Sequence, residues 1–195
     1  IFVPDENYIY PKDVVELDWI ESGEKGSLFE GAHRPGHFDG VLTVVNRLFE
    51  LVNPTSAVFG KKDAQQLYLV KEFFANKSNN LKIIEAEIIR DEYGLAMSSR
   101  NRLLSKSGIN IARNIFQILE NTKEHFIQNQ DIQQSEDFGK KLFDENAIEY
   151  DYLNFVDPKY FETPDSNREK LLLITAAYVQ GIRLIDNMEV IQWRI

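Results

Sequence analysis

Residues 56–67 read S-A-V-F-G-K-K-D-A-Q-Q-L. The first five form a short apolar run closing on Gly60, which reads as a buried strand. A helical pattern begins within three residues, with Leu67, Val70 and Phe74 at steps of three and four. The flanks repeat this unit. Upstream, Phe38, Val41, Val45, Leu48 and Val52 mark one helical face. Asn53-Pro54 ends that helix, because a residue before proline avoids the α region. Downstream, Ser78-Asn79-Asn80 reads as a turn and L-K-I-I-E-A-E-I-I, residues 81–89, as a second strand rich in β-branched residues. Helix, strand, helix, strand with short links predicts an α/β fold, a parallel sheet with covering helices.

The character changes after Arg90. D-E-Y-G-L-A-M-S-S-R-N, residues 91–101, is polar and irregular. A long amphipathic helix is expected after Ser105, with Ile109, Ala112, Ile115, Leu119 and Phe126 on one face. A second helix is expected over residues 137–143, then strands over 148–156, 171–179 and 182–187. Gln180-Gly181 separates the last two strands, where a tight hairpin turn requires glycine. The expected organisation is therefore residues 1–88 as part of a nucleotide-binding α/β domain and 89–195 as a small α+β domain with antiparallel strands.

Composition narrows the function. The 195 residues, 43% hydrophobic and 27% charged, suffice for one large or two small domains. No apolar run approaches the roughly 18 residues that suggest a membrane span. The chain has no cysteine, which excludes disulfides and thiolate metal clusters and fits a reducing cytoplasm, the expected location. Net charge is −9 with acids spread along the chain, so no global footprint for nucleic acid is present. The chain opens I-F-V-P-D-E-N-Y-I-Y-P, residues 1–11, without methionine. That apolar start reads as a strand in progress, and the expectation is a sequence that begins inside a domain.

Three stretches could carry chemistry. Around Gly60 a strand runs into a helix, and ligands of open α/β sheets bind at the carboxyl ends of strands. Gly60 permits close approach to the backbone, Lys61 and Lys62 lie where phosphate is favoured, and Asp63 could accept a ribose hydroxyl. The competing reading makes Asp63 a helix cap and the lysines solvated. In G-L-A-M-S-S-R-N, residues 94–101, two hydroxyls stand beside Arg100, a good set for phosphate oxygens. A plain polar linker is the alternative. In G-A-H-R-P-G-H-F-D-G, residues 31–40, His33 and His37 have helical metal-pair spacing, but Pro35 and Gly36 between them break the helix. Arg34 and His37 fit better as anion-facing groups at a helix entrance, with a capping histidine as the bland reading. His125, within the long helix, reads as a surface residue.

The order R-P-G-H-F, F-G-K-K-D-A-Q-Q-L and G-L-A-M-S-S-R-N-R-L-L-S, followed by I-T-A-A-Y-V-Q-G-I-R-L-I-D-N, resembles the pantothenate synthetase family, the pantoate–β-alanine ligases of coenzyme A biosynthesis. The likeness runs through essentially the whole chain. It implies a Rossmann-like sheet of the nucleotidyltransferase superfamily and a small domain that closes over ATP. It also implies ATP-dependent condensation of (R)-pantoate with β-alanine through a pantoyl-adenylate, with release of pyrophosphate and AMP. By this resemblance Gly60 and Asp63 contact the ATP ribose, with Lys61 and Lys62 at its phosphates. Ile89 and Met97 border adenine, and Ser98, Ser99 and Arg100 bind phosphates. Lys62, Ser98, Ser99 and Arg100 carry the catalysis. Gln66 holds pantoate, and Arg34 and His37 line the substrate cleft. Mg2+ accompanies ATP without a dedicated protein metal site, and a homodimer is implied, with the Val44-Val45 helix or the neighbouring strands as its interface.

Two departures stand out. Lys61 occupies a position where the family more often has an acid. The family's first strand and H-x-G-H loop have no counterpart, and R-P-G-H-F is a different motif. The expectation is a carboxyl-terminal part of the enzyme, inactive alone, which pantothenate formation by the purified chain contradicts. The alternatives are a nucleotidyltransferase acting on another acceptor and a non-catalytic dimerisation fragment. A relative of class I aminoacyl-tRNA synthetases fits poorly with the acidic balance.

Overall fold

A computed structural model describes residues 1–11, 19–77, 81–164 and 169–191. The chain divides into two compact units, Ile1–Phe59 with Gln65–Glu85, and Gly60–Ala64 with Ala86–Ile195.

The first unit contains α1 (Glu6–Ile9), α2 (Glu30–His33), α3 (His37–Val52), most of β1 (Ser56–Gly60) and of α4 (Ala64–Asn76), and most of β2 (Lys82–Ala86). The opening is not a strand. Pro4 follows three residues without regular structure, and the Asp5 carboxylate accepts the Tyr8 N–H at 2.7 Å, which starts the short helix α1 instead. Helix α3 ends as expected: Asn53 adopts a left-handed conformation (φ 47°) and donates its N–H to the Phe49 carbonyl ahead of Pro54.

Strands β1 and β2 are neighbours in a two-stranded sheet. Lys82 N–H bonds the Thr55 carbonyl at one end and Lys61 N–H the Ala86 carbonyl at the other, so the strands run parallel. The α3 and α4 faces meet over Phe38, Leu42, Leu69, Val70 and Phe74, with Phe59 and Ile83 of the strands packed against them. Each such side chain contributes about 1.5–3 kcal/mol on full burial. Strand β2 stops at Ala86, short of the expected residue 89, because the Ile89 carbonyl turns to accept the Met97 N–H. The expected turn at Ser78-Asn79-Asn80 lies outside the described residues.

The second unit holds a 3-10 helix (Ser99–Leu103), α5 (Lys106–Asn129), α6 (Ile132–Glu145) and an antiparallel sheet of β3 (Glu149–Val156), β4 (Lys170–Val179) and β5 (Ile182–Ile191), in that order. Ser105 caps α5 by accepting the Gly108 N–H at 3.1 Å. Helix α6 starts earlier than expected, because Asp131 caps it through the Gln134 N–H at 2.9 Å. Gly139 lets α6 lie close to α5 and β3, where an added Cβ would stand 2.3 Å from Thr122 Oγ1 and 2.4 Å from a Leu153 methyl. His125 is half-buried rather than a surface group, stacked on Phe138 at 4.4 Å and bonded to Ser135 at 3.0 Å.

Val179 pairs with Ile182 across a two-residue turn in which Gln180 (φ 52°) and Gly181 (φ 74°) both have positive φ, as a type I′ hairpin demands. Strand β5 runs four residues past the expected end and stays paired to Lys170↔Ile191. The inner face of this sheet and the α5–α6 pair bury Ala112, Ile115, Leu119, Phe143, Leu153, Phe155, Leu171 and Leu173. The α/β architecture expected from the sequence is therefore present, as a parallel strand pair with helices followed by an α+β unit.

Candidate functional site

The second unit contains the segment 60–64 as well as the loop that follows β2. After Gly60 the chain turns through Lys61 and Lys62, with Asp63 N–H closing on the Gly60 carbonyl at 3.3 Å. Asp63 stands exposed directly before α4.

The two lysines differ. The Lys61 ammonium bonds Glu87 and lies 3.4 Å from Glu189. The Glu87 bond raises its pKa against the opposing effect of burial, so it stays charged and locally neutralised. Burial pushes the Glu189 carboxyl up, but Lys170 at 3.0 Å, together with Lys61, holds it below its ordinary value. Lys62 instead lines a small, solvent-open pocket with Ala96, Ser98, Asn101, Leu184 and Asp186. Its charge acts on the Asp186 carboxylate.

The loop on the other side of the pocket is built by several devices. Arg90 and Ala96 form a bridge, and Ile89 and Met97 meet through the Met97 N–H bond of 2.8 Å. Both of those apolar side chains are exposed, at 70% and 54%. The Asp91 carboxylate accepts N–H groups from Tyr93 and Leu95, each at 2.9 Å, and the Arg113 Nε at 3.0 Å. Gly94, at φ 91°, packs where a Cβ would stand 2.0 Å from the Phe116 ring, so both backbone and space require glycine. Ser98 accepts the Arg100 N–H at 3.2 Å and starts the 3-10 helix, while Asn101 donates to the Ala96 carbonyl at 3.1 Å. Arg100 reaches β5, donating to the Arg183 carbonyl at 3.1 Å, and Ser99 is exposed.

Beneath this loop lies an ion pair that sequence reasoning did not find. Arg90 forms a bidentate pair with Asp186 at 2.6 and 2.9 Å, donates also to the Gly94 and Asn187 carbonyls, and lies over the Phe116 ring. Asp186 is 5% exposed. Burial pushes its carboxyl up and Arg90 pulls it back, leaving it above the ordinary carboxylate range.

Asp91 sets a pH dependence. Burial pushes its carboxyl up, but the Arg113 bond and the two N–H donors outweigh that and hold it below its ordinary 3.8. A carboxyl depressed by folding adds stability above its unfolded value and loses it as pH falls through the folded one. Asp91→Asn keeps the acceptor oxygen but loses the charge toward Arg113. We expect a melting-temperature deficit at pH 7 that narrows as pH falls below 3.8. Melting curves of both proteins across pH check this, and a deficit constant with pH contradicts it.

The remaining candidates belong to the first unit. His33 ends α2 and His37 begins α3, so Pro35 and Gly36 do separate them into two helices. Gly36, at φ 73°, is the α3 N-cap, so neither histidine occupies the N-cap position itself. Arg34 lies 3.7 Å from Glu30, and His37 N–H bonds the Arg34 carbonyl at 3.1 Å. Gln66 is half-buried on α4. Its neighbour Gln65, which sequence reasoning missed, is 3% exposed. It donates to the Lys25 and Leu28 carbonyls and accepts the Glu30 N–H, tying the segment before α2 to α4.

In the second unit, then, one cation and one hydroxyl, Lys62 and Ser98, share a pocket bordered by an arginine-neutralised carboxylate, a set suited to an anion with attached polar groups. The family model described as pantoate–β-alanine ligase matches residues 1–189. The pantothenate synthetase of Vesicomyosocius okutanii is 37% identical over 191 residues, covering 96% of this chain and 66% of that protein. That of Cytophaga hutchinsonii is 37% identical over 196 residues, covering 98% and 68%. A pantothenate synthetase structure from Thermus thermophilus superposes with a TM-score of 0.90 at 34% identity, covering 97% of this chain and 69% of the other. The pantoate–β-alanine ligase of Francisella tularensis, complexed with βγ-ATP and β-alanine, does so at 0.68 and 29% identity, covering 94% and 61%. The chain thus spans about two thirds of the length of these relatives. With the family model covering nearly every residue, and relatives this similar in sequence and fold, the chain belongs to the pantoate–β-alanine ligase family.

Proposed function

We propose that this chain serves the ATP-dependent condensation of (R)-pantoate with β-alanine, and that its second unit handles the nucleotide. In the first half-reaction a pantoate carboxylate oxygen attacks the α-phosphorus of ATP. The bond to the bridging oxygen breaks, and pyrophosphate leaves. In the second, the β-alanine amine attacks the activated acyl carbon, the bond to AMP breaks, and the amine loses a proton. Adenylation converts a poor electrophile into a good one, so the protein's contribution is alignment and charge stabilisation.

The observation that carries this reading is the pocket shared by Lys62 and Ser98, flanked by Ser99 and Arg100. Lys62, Ser98, Ser99 and Arg100 then face phosphate oxygens. Gly60 and Asp63 serve the ribose, and exposed Ile89 and Met97 border the adenine. Gln66, Arg34 and His37 remain our assignment for pantoate. Lys61 contributes field rather than contact, since Glu87 and Glu189 engage its ammonium. The Francisella tularensis complex with βγ-ATP and β-alanine supports ATP and β-alanine as two of the substrates. Mg2+ belongs to this reading as a companion of ATP. Among the described residues no three His, Asp or Glu side chains converge as an ion cage, and phosphate oxygens with waters are its natural ligands. A Rossmann-like sheet, a small domain (89–195) closing over ATP, a homodimer and a cytoplasmic location complete the proposal. Among the described residues no helix is long and apolar enough to cross a membrane.

The test is exchange of labelled pyrophosphate into ATP by the product of the complete gene, with and without pantoate. Exchange that requires pantoate but not β-alanine supports adenylate formation. Its absence in folded protein that binds ATP means another acceptor.

A further inference from the structure

The turn 61–63 lies between β1 and α4, and two of its carbonyls are held from a single side chain. Asn187 of β5 is 4% exposed, and its carboxamide nitrogen donates to the Lys61 carbonyl at 2.9 Å and to the Lys62 carbonyl at 3.0 Å. We infer that Asn187 is a positioning residue for nucleotide binding, setting the backbone path that aims Lys62 at its pocket. The inference rests on the proposed function and adds a residue to it.

One NH2 group bridging two consecutive carbonyls holds the peptide planes on both sides of the Lys62 Cα, so the direction of Lys62 is set from β5. The donor is itself immobile. Asn187 pairs with Ile174 in the β4–β5 register, its N–H bonds Asp186 Oδ1 at 2.7 Å, and its carbonyl accepts Arg90 at 3.0 Å. Two residues on, on the same strand face, Glu189 takes the Lys61 ammonium and so anchors the loop a second time. Through Arg90, which also grips the Gly94 carbonyl, the same strand reaches the loop bearing Ser98. Asn187 and Asp186 thereby hold both sides of the pocket in one register. A merely space-filling asparagine would have no reason to affect one substrate more than another, and that difference is measurable.

Asn187→Leu keeps the volume and removes both donors, and Asn187→Ser keeps a single hydroxyl donor. On the product of the complete gene, with Mg2+ and ATP as the probe, we expect the Leu variant to raise the Kd for ATP about tenfold or more, the loss of two hydrogen bonds. The Ser variant should raise it several-fold, and the KM for pantoate should stay within twofold in both. Ser135→Ala, a buried hydroxyl of α6 bonded to the Asp131 carbonyl, is the control for lost stability and should leave the ATP Kd unchanged. Should the Leu variant not fold, the Ser variant decides. Wild-type affinity for ATP in a folded Asn187 variant overturns the inference and leaves the proposed function standing. Equal losses for ATP and pantoate overturn it too. Absence of ATP binding by the wild-type chain overturns the nucleotide reading on which it depends.

Discussion

Replacing Arg90 by methionine is expected to lower the melting temperature by about 6–20 °C, the equivalent of roughly 3–5 kcal/mol for leaving a buried charge without its partner. The size follows from Asp186. Its carboxylate is 5% exposed and relies on the bidentate guanidinium for compensation. Methionine keeps much of the bulk over the Phe116 ring but none of the donors. Two further readings separate this cause from lost packing. Without Arg90, the Asp186 carboxyl is pushed still further up by burial. The folded state then binds a proton that the unfolded state releases, so stability rises as pH falls through that interval. The variant should therefore recover part of its deficit at mildly acidic pH. Adding Asp186→Asn, which removes the charge, should likewise recover part of it at pH 7. A small loss independent of pH would show that the pair is dispensable.

The second large effect concerns activity. Lys62→Ala is expected to slow pantoate-dependent pyrophosphate exchange by about 10²–10³-fold, the usual result of removing a charged group aimed at a transition state. Its melting temperature should stay near wild type, because the Lys62 carbonyl still meets Asn187. Lys61→Ala should cost less than about tenfold, because a lysine held by Glu87 and Glu189 acts on phosphate only through a screened field. Rates for the two variants, measured side by side, test the distinction between the adjacent lysines. Equal effects would refute it.

Much of the fold was legible because it rests on local rules. Asn53-Pro54 ends α3, the apolar run 56–60 is β1, and Gln180-Gly181 is the β4–β5 turn, each for reasons contained in a few residues. What escaped depends on partners far away in the chain. The apolar opening looked like a strand, but Asp5 caps a helix there. The run 81–89 looked like one strand, but Ile89 pairs with Met97 rather than continuing in the sheet. At the site, Lys62 and Ser98 were named from their motifs. Asn187, Asp186 and Gln65 were not, because a buried polar residue that bonds distant backbone carries no periodic signal. Asn187 and Asp186 stand in a strand that reads as ordinary hairpin sequence, and only tertiary structure shows what they hold.

The distance between Asn187 and the loop it grips has a consequence for how the protein is made. Lys61 and Asn187 are 126 residues apart. The α5–α6 and β3–β4–β5 contacts, by comparison, join neighbouring elements and close quickly. Loop-closure entropy grows only slowly with length, so this long tie costs little once formed, but it forms late. On the ribosome, the lysine loop is exposed long before β5 exists, and during that time no carboxamide fixes its path. On the proposed reading, the loop takes the path that aims Lys62 only once β5 pairs with β4 and Asn187 meets a segment synthesised well over a hundred residues earlier.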